Sequence, residues 1–560
     1  MPTLEWIGKK AVVKHHKEVP FHLLEVDEAL SVGEGESENL IIQGDNLYAL
    51  KALLPYYAGK VRCIYIDPPY NTGKENWKYN DNVNSPEIIE WLGDTVGKEA
   101  EDLSRHDKWL CMMYPRLLLA KQFLSEDGIL FVSIDDIELP LLRLLLDELF
   151  SPAEGKNRLS CFVWQTEGNF DNQAKVKECH EYILAYTRNH KLFPAPPIID
   201  PNIADGSKLF NSQIRNTIVK NGPKNPISEI FLPIGFPASF EEGTIKARDD
   251  LWPHFSEDLI IKDYMLQKPV AVKSGWSNKN LCNKFITSNF EPVLDTKKQI
   301  TSFEIIRTGA IENVKIRSDQ QSHVVSVLRD VGTTQQMSAE LKEMGLNFDY
   351  PKPTKLIEYL ISMIDDNEFI VMDFFAGSGT TGHAVLKTNL ETDYNLKFIL
   401  IELDEAISKD IMCSRITKVI NGYEKVETSE KVSGTSGSFN YCTLGIPLFN
   451  KVGAISKEVT FSDLAKLVFF LEAGKPTTTS KHNSPLIGID NGTAIYMLFN
   501  GILGDKTVNG GNVLTNPILK SLPEHDGPKV IYGEACRLGS DKLRKENITF
   551  KQIPYDVGVK

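Results

Sequence analysis

The sequence predicts an open α/β sheet with helices on both faces. Three observations predict it: short unalternated apolar runs, amphipathic helical stretches alternating with them, and turn or cap residues at the joints. Leu40 to Gln43 is the first short strand, and Gly44-Asp45-Asn46 follows as a turn and helix cap. LYALKALLPYY, residues 47–57, has helical periodicity. VRCIYI, residues 61–66, is an unalternated apolar run of the parallel type buried on both faces. In DLSRHDKWLCMMYPRLLLAKQFL, Ser104 with Asp107 three residues later marks an N-cap and an acidic first turn. After the turn at Asp127-Gly128, ILFVSID is a strand and ELPLLRLLLDELF an amphipathic helix.

Between about 195 and 345 that rhythm fails. Pro and Gly interrupt the chain in PAPPIIDPN, NGPKNP and FLPIGFPASFEEG, which predicts an irregular α+β insertion. The rhythm returns at FIVMDFFAGSGTTGHAVLKTNL (strand, Gly-rich turn, helix) and at KFILIELDE, a strand closed by acids. KVSGTSGSF reads as a Ser/Gly linker to a small C-terminal α/β unit. That unit has one helix, FSDLAKLVFFLEAG, a hairpin turning at Asn491-Gly492, and two further strands, KVIYGEA and ITFKQIP. The expected divisions are 1–195, 196–345, 346–428 and 429–560.

A chain of 560 residues exceeds one core. The hydrophobic fraction of 42% and charged fraction of 24% are ordinary for a globular protein. The start of the chain holds no apolar run of signal-peptide length, and no run of 18 apolar residues occurs. Neither a leader nor a membrane span is therefore expected. Eight scattered cysteines form no CxxC pair and no spaced His/Cys cluster, so no metal site is expected and the compartment is expected to be reducing. The net charge of −13 argues weakly against a nucleic-acid partner, but it is uneven. Residues 171–330 hold 21 Lys and Arg against 19 Asp and Glu, so the middle is the least acidic part.

Two motifs carry chemistry. The turn Asp373-Phe-Phe-Ala-Gly-Ser-Gly-Thr-Thr-Gly382 contains GxGxxG, with Glu402 20 residues after the last glycine. Glycines let the backbone approach a ligand, and an acid ending the next strand accepts bonds from ribose hydroxyls. A tight strand–helix turn with an ordinary strand-end acid reads the same residues equally simply. The second motif is IYIDPPYNTGKE, residues 64–75. Asp67 ends a buried strand, where ligands bind in open α/β sheets. Two prolines stiffen the tip and remove two N–H donors, leaving carbonyl acceptors. A carboxylate and a proline carbonyl form a two-acceptor fork suited to an amino group, and Tyr70 adds a flat stacking face. A planar ring with an exocyclic NH2 is adenine or cytosine. The competing reading is a Pro-stabilised turn with a capping Asp.

DPPY with FAGSGTT resembles the amino-methylating DNA methyltransferases. Asp67 of DPPY precedes Asp373, which opens the Gly-rich turn, by 306 residues with a long insertion between, an order similar to the β group. EWIGKKAVV, GDNLYAL, DPPYNTGKE, DLSRHDKWLCMMYPRL, FDYPKPTKLI and LIGIDNGTAIYMLFNGIL resemble modification subunits of type III restriction–modification systems. The resemblance implies a Rossmann-like S-adenosylmethionine-dependent methyltransferase sheet, permuted, with an inserted α+β target-recognition domain and a small C-terminal α/β domain. On it, 1–195 is the catalytic half, 196–345 the target-recognition insertion, 346–428 the cofactor half and 429–560 a C-terminal domain for subunit contact. It implies catalytic roles for Asp67, Pro68, Pro69 and Tyr70. It implies cofactor contacts for Asp373, Phe375, Ala376, Gly377, Gly379 and Thr380, with Glu402 on the ribose and Lys352-Pro353 at the methionine end. Asp45 corresponds to the acid near the cofactor's adenine, and is equally placed to be a turn or cap residue. The family's His-containing form of the Lys-Pro motif is replaced by Tyr350-Pro351.

The implied activity is methylation of the N6 amine of adenine in double-stranded DNA, the base being flipped from the stack. The implied partners are a second copy of the chain and a helicase–nuclease restriction subunit, and the implied location is the prokaryotic cytoplasm, on DNA. In the insertion, KSGWSNKNLCNK sets Trp276 among Lys273, Lys279 and Lys284, which suits DNA contact and equally suits a loop with one packed Trp. N4-cytosine methylation, a protein or small-molecule N-methyltransferase, and a non-catalytic DNA-recognition subunit are the alternatives.

Overall fold

The computed structural model describes residues 3–33, 37–71, 105–151, 157–166, 175–198, 200, 202–203, 213–296, 299–316, 323–448, 456, 459–475, 484–500, 507 and 510–553. The chain divides into two compact units, Ala195–Val324 and the remainder on either side of it.

The larger unit is built on ten strands: β1 (His22–Val32), β2 (Leu40–Gln43), β3 (Val61–Ile66), β4 (Leu124–Ile134), β5 (Arg158–Gln165), β6 (His180–Thr187), β7 (Val327–Leu328), β8 (Ile370–Asp373), β9 (Lys397–Glu402) and β10 (Phe439–Pro447). Their spatial order is β1-β10-β2-β9-β8-β3-β4-β6-β5-β7. The central run from β10 to β4 is parallel throughout. Among the described residues of this sheet, antiparallel pairs occur only at β1/β10, β4/β6 and β5/β6. The central strands are apolar on both faces because helices cover both faces. Ile42, Ile64, Ile66, Leu130, Val132, Ile399 and Ile401 are buried in one cluster with helical Leu50, Leu53, Trp109 and Leu117.

The helices that matter for the site are α1 (Asn46–Tyr57), α2 (Arg105–Phe123), α3 (Leu139–Phe150), α4 (Thr354–Ser362) and α5 (Thr380–Glu391). Asp45 caps α1, accepting from Leu47 N at 2.7 Å. Ser104, the expected cap of α2, lies outside the described residues.

Four expectations change. β4 begins at Leu124, ahead of the predicted turn at Asp127-Gly128. A bulge between the Val61–Leu124 and Cys63–Ile129 pairs absorbs those residues, and Arg62 pairs with Asp127 there. The compact insertion ends at Val324, and residues 325–345 instead supply β7 and a helix, Thr334–Glu343, to the larger unit. The predicted linker is not a linker: Lys431–Ser433 pairs with Gly422–Glu424, and Phe439 opens β10 between β1 and β2. The C-terminal residues are also not a compact unit apart from the rest. Their four-stranded sheet (Leu486–Asp490, Thr493–Met497, Lys529–Gly533, Ile548–Gln552) and their helix Phe461–Ala473 place Leu464, Val468, Phe469, Ile495 and Tyr532 in the main core. The hairpin turn is at Asn491 (φ 45°) and Gly492 (φ 76°), the positive angles that tight hairpins require.

The smaller unit has its own core, including Phe236, Phe285, Phe303 and Trp276, under three small antiparallel sheets and the helix Lys279–Thr287. Trp276 is 5% exposed, and its indole N–H donates to Ser228 O at 2.8 Å. It is thus a packed core residue and is not presented for base contact.

Candidate active site at the carboxyl edge of the parallel sheet

β3 and β8 are parallel neighbours, with Met372 opposite Ile64. From β8 the chain runs through α5 to β9 on one side; from β3 it runs to β4 on the other. Diverging connections leave a crevice at the strands' carboxyl ends, the usual ligand position in open α/β sheets. Asp67 follows β3, Asp373 and the Gly-rich turn end β8, and Glu402 ends β9, so sheet topology brings together the two motifs that the chain separates.

At the β3 tip, Asp67 Oδ2 accepts from Lys352 Nζ at 2.8 Å. Asp67 Oδ1 is buried and has no hydrogen-bond partner among the described residues. The Pro69 carbonyl accepts from the indole of Trp109 at 2.7 Å, which fixes the second proline to α2. The Tyr70 hydroxyl donates to Glu181 Oε2 at 2.8 Å, and Lys352 Nζ lies 3.3 Å from the same oxygen. That ammonium also sits 4.9 Å from the centre of the Tyr70 ring. Asn71 turns the chain with φ 61°; Thr72 and Gly73 lie outside the described residues. Burial pushes the Asp67 carboxyl above its ordinary range, with Glu181 adding to the rise and Lys352 opposing it. Burial works against the Lys352 charge, but Asp67 and Glu181 outweigh it and hold its pKa above normal. The two directions agree physically, because two carboxylates share one cation.

The Gly-rich turn is held from three sides. Gly377 (φ 50°) donates its N–H to Glu402 Oε2 at 2.9 Å, and a Cβ there would come within 3.3 Å of the Phe348 ring. Gly379 caps α5 at φ 81°. Asp373 accepts from Thr381 Oγ1 at 2.6 Å and from Phe375 N at 3.1 Å, and burial nevertheless raises its pKa to about 7. Glu402 also accepts from Asp404 N at 2.9 Å, and burial raises its pKa. Phe375 and Ala376 are buried beside it. Thr380 Oγ1 donates to the Lys352 carbonyl at 3.0 Å, so the cofactor turn and the segment carrying Lys352 are tied together.

Two of the residues expected at the cofactor hold protein partners in the structure. Lys352, expected at the far end of a cofactor, directs its ammonium to the Asp67 carboxylate. The Asp45 carboxylate is engaged as the α1 cap and by buried Arg116, 3.2 Å away. Residues 61–412 match the family described as "DNA methylase".

The chain belongs to this DNA methylase family.

Among relatives, the chain is 32% identical over 432 residues to the EcoP15I Mod subunit of a type III restriction-modification enzyme from Escherichia coli. It is 33% identical over 435 residues to the EcoPI Mod subunit from Escherichia phage P1. These matches cover 72% and 73% of this chain, and the chain spans 64% of the length of each relative. Against the type II methyltransferase M.KpnI of Klebsiella pneumoniae, identity is 25% over 422 residues, 71% of this chain and 92% of that protein. Among the described residues, no helix is long and apolar enough to cross a membrane, and no group of three or more His, Cys, Asp or Glu could hold a metal ion.

Sequence reasoning missed two residues of this site. Glu181 opens the apolar run EYILAYT of β6, and an acid at the mouth of a buried strand is the signal that could have found it. Arg415 is fully buried beneath the Gly-rich turn. Its guanidinium donates to the hydroxyls of Ser378 and Thr380, both at 2.9 Å, and lies 3.2 Å from His383 Nδ1. Burial lowers its pKa to about 10. Only the helical period of SRITKVIN, which turns Arg415 inward with Ile416 and Val419, hints at it.

Proposed function

We propose that this DNA methylase transfers a methyl group from S-adenosylmethionine to the N6 amine of adenine in double-stranded DNA, as the modification subunit of a type III restriction–modification system. The observation that carries the reading is Asp67 Oδ1, a buried acceptor without a partner among the described residues, at the end of β3 beside Pro68 and Tyr70. An exocyclic amine has two N–H donors to give such a fork, and Tyr70 supplies a ring for stacking.

The residues fit the cofactor on three grounds. Gly377 leaves open the space its Cβ would fill against Phe348. Glu402, with one N–H on each oxygen, keeps lone pairs for ribose hydroxyls. Gly377 to Thr380 form a strand–helix turn that opens α5, and a helix N-terminus favours a polar ligand. Bound S-adenosylmethionine supplies an electrophilic methyl group. Asp67 and the Pro68 carbonyl hold the amine so that its lone pair turns out of the ring plane. That lone pair forms the new N–C bond while the methyl–sulfur bond breaks, its electron pair staying on sulfur. Asp67 stabilises the positive charge that grows on nitrogen and takes the released proton, which passes to water.

Similarity to the two Mod subunits supports the type III assignment. On it, the chain works as a homodimer on DNA in the cytoplasm with a helicase–nuclease restriction subunit, and residues 195–324 read the target. The test is sequencing DNA from an expressing host with detection of modified bases. N6-methyladenine at one fixed sequence is expected; N4-methylcytosine would refute the adenine assignment, and unmodified DNA the whole reading.

A further inference from the structure

We infer that Glu181 is a second functional carboxylate of the active site, a positioning residue that offsets the Lys352 ammonium so that Asp67 faces the target amine with its acceptor strength intact. The inference rests on the reading under Proposed function and deepens it.

The problem it solves is visible in the distances. Lys352 Nζ lies 2.8 Å from Asp67, the carboxylate that must favour positive charge on the amine. A lone ammonium there would cancel that carboxylate and repel the developing cation. The Lys352 side chain is 8% exposed and the Asp67 and Glu181 side chains 25% and 24%, so water screens the three charges only in part. Glu181 Oε2 lies 3.3 Å from the same ammonium. Asp67, Glu181 and Lys352 together carry −1, the sign that methylation of a neutral amine needs. The same Glu181 oxygen accepts from the Tyr70 hydroxyl at 2.8 Å, so it also fixes the edge of the stacking ring. Lys352 is thereby fastened to Asp67 Oδ2 and Glu181, which leaves Oδ1 for the amine. Glu181 comes from β6, opposite the buried Trp164 of β5, so its place is set by strand pairing and not by a loop. The other titratable groups around this cluster are Tyr65 and Tyr70 from β3 and its tip, Asp373 from β8 and Asp135 after β4.

The test is Glu181→Gln, which keeps a carbonyl for Tyr70 and removes the charge, in the full-length chain acting on its own target sequence. The expected result is a kcat lower by about 10- to 100-fold with KM for cofactor changed by less than about two-fold. Glu181 raises the Asp67 pKa, so its neutral replacement lowers that pKa and moves the acid limb of the pH–rate profile to lower pH. Glu181→Asp, which retains the charge, should hold the limb near the wild-type position. Without cofactor, 2-aminopurine at the target base should give wild-type fluorescence with Glu181→Gln, showing that the pocket still captures the base. An unmoved limb and a wild-type kcat would overturn the inference while leaving the methyltransferase reading intact. Loss of base capture in proportion to rate would overturn it too, because Glu181 would then only shape the pocket. A wild-type chain that methylates no DNA would overturn the parent reading and this one with it.

Discussion

Asp67 has to meet two requirements with one carboxylate. On the proposed function it must stay ionised in a half-buried place, and it must keep an oxygen free for a donor. Lys352 meets the first through Oδ2, and the unpartnered Oδ1 meets the second. Replacing Asp67 with Ala should lower methylation by at least about 1,000-fold, because the amine loses its charged acceptor. It should leave S-adenosylmethionine affinity nearly unchanged, since the Gly-rich turn is fixed by Glu402, Thr381 and Arg415. Initial rates with calorimetry separate the two effects, and wild-type rates in the variant would sink the assignment. A pH dependence follows from the same residue. The reaction needs ionised Asp67, whose pKa burial has raised. The rate should therefore fall with acid at a pH above the ordinary aspartate range.

At the scale of elements, the Gly-rich turn joins β8 to α5 through a backbone that few side chains tolerate. Gly377 sits at φ 50° with Phe348 3.3 Å from where a Cβ would be. A β-branched residue there is strained by about 1–3 kcal/mol and fills the space a ligand would use. Gly377→Val should therefore weaken S-adenosylmethionine binding by about 100-fold or more while the sheet still folds. Calorimetry on the folded variant tests it, and unchanged affinity would make the turn purely structural. This turn and the β3 tip were legible because each lies within one short stretch. Apolar runs marked β2, β3, β8 and β9 for the same local reason. What stayed hidden depends on pairing between distant segments. Glu181 reaches Tyr70 across 111 residues, and Arg415 reaches Ser378 and Thr380 across 37 and 35 residues. β10 went unread behind KVSGTSGSF, with which it shares only Phe439, because strand partners on both sides make its residues extended. Trp276 misled in the other direction: its lysine neighbours suggested DNA contact, and the pattern could not show that its indole packs inward.

For the whole molecule, the insertion is the portion that can be exchanged. The chain leaves the sheet after β6 and returns at β7, and these two strands pair with opposite edges of β5. Residues 195–324 between them carry a core of their own. An element that brings its own core can change without unpacking the sheet, so on the proposed function target choice varies there while the chemistry at Asp67 stays fixed. Within it, Ile227 and Phe231, 53% and 62% exposed, share the outer face of one strand, and Lys273 stands on the paired strand opposite Glu229. Exposed apolar and basic groups on one rigid face suit base and phosphate contact better than the buried Trp276. Replacing 195–324 with the matching segment of a related Mod subunit should change the methylated sequence and keep N6-methyladenine as the product. Phe231→Ala in the native chain should relax discrimination among sites and leave the modified base unchanged. Modified-base sequencing reads both outcomes. An active, folded chimera with the original sequence preference would place recognition outside the insertion, and a switch to methylcytosine would show that the segment shapes the pocket at Asp67 as well.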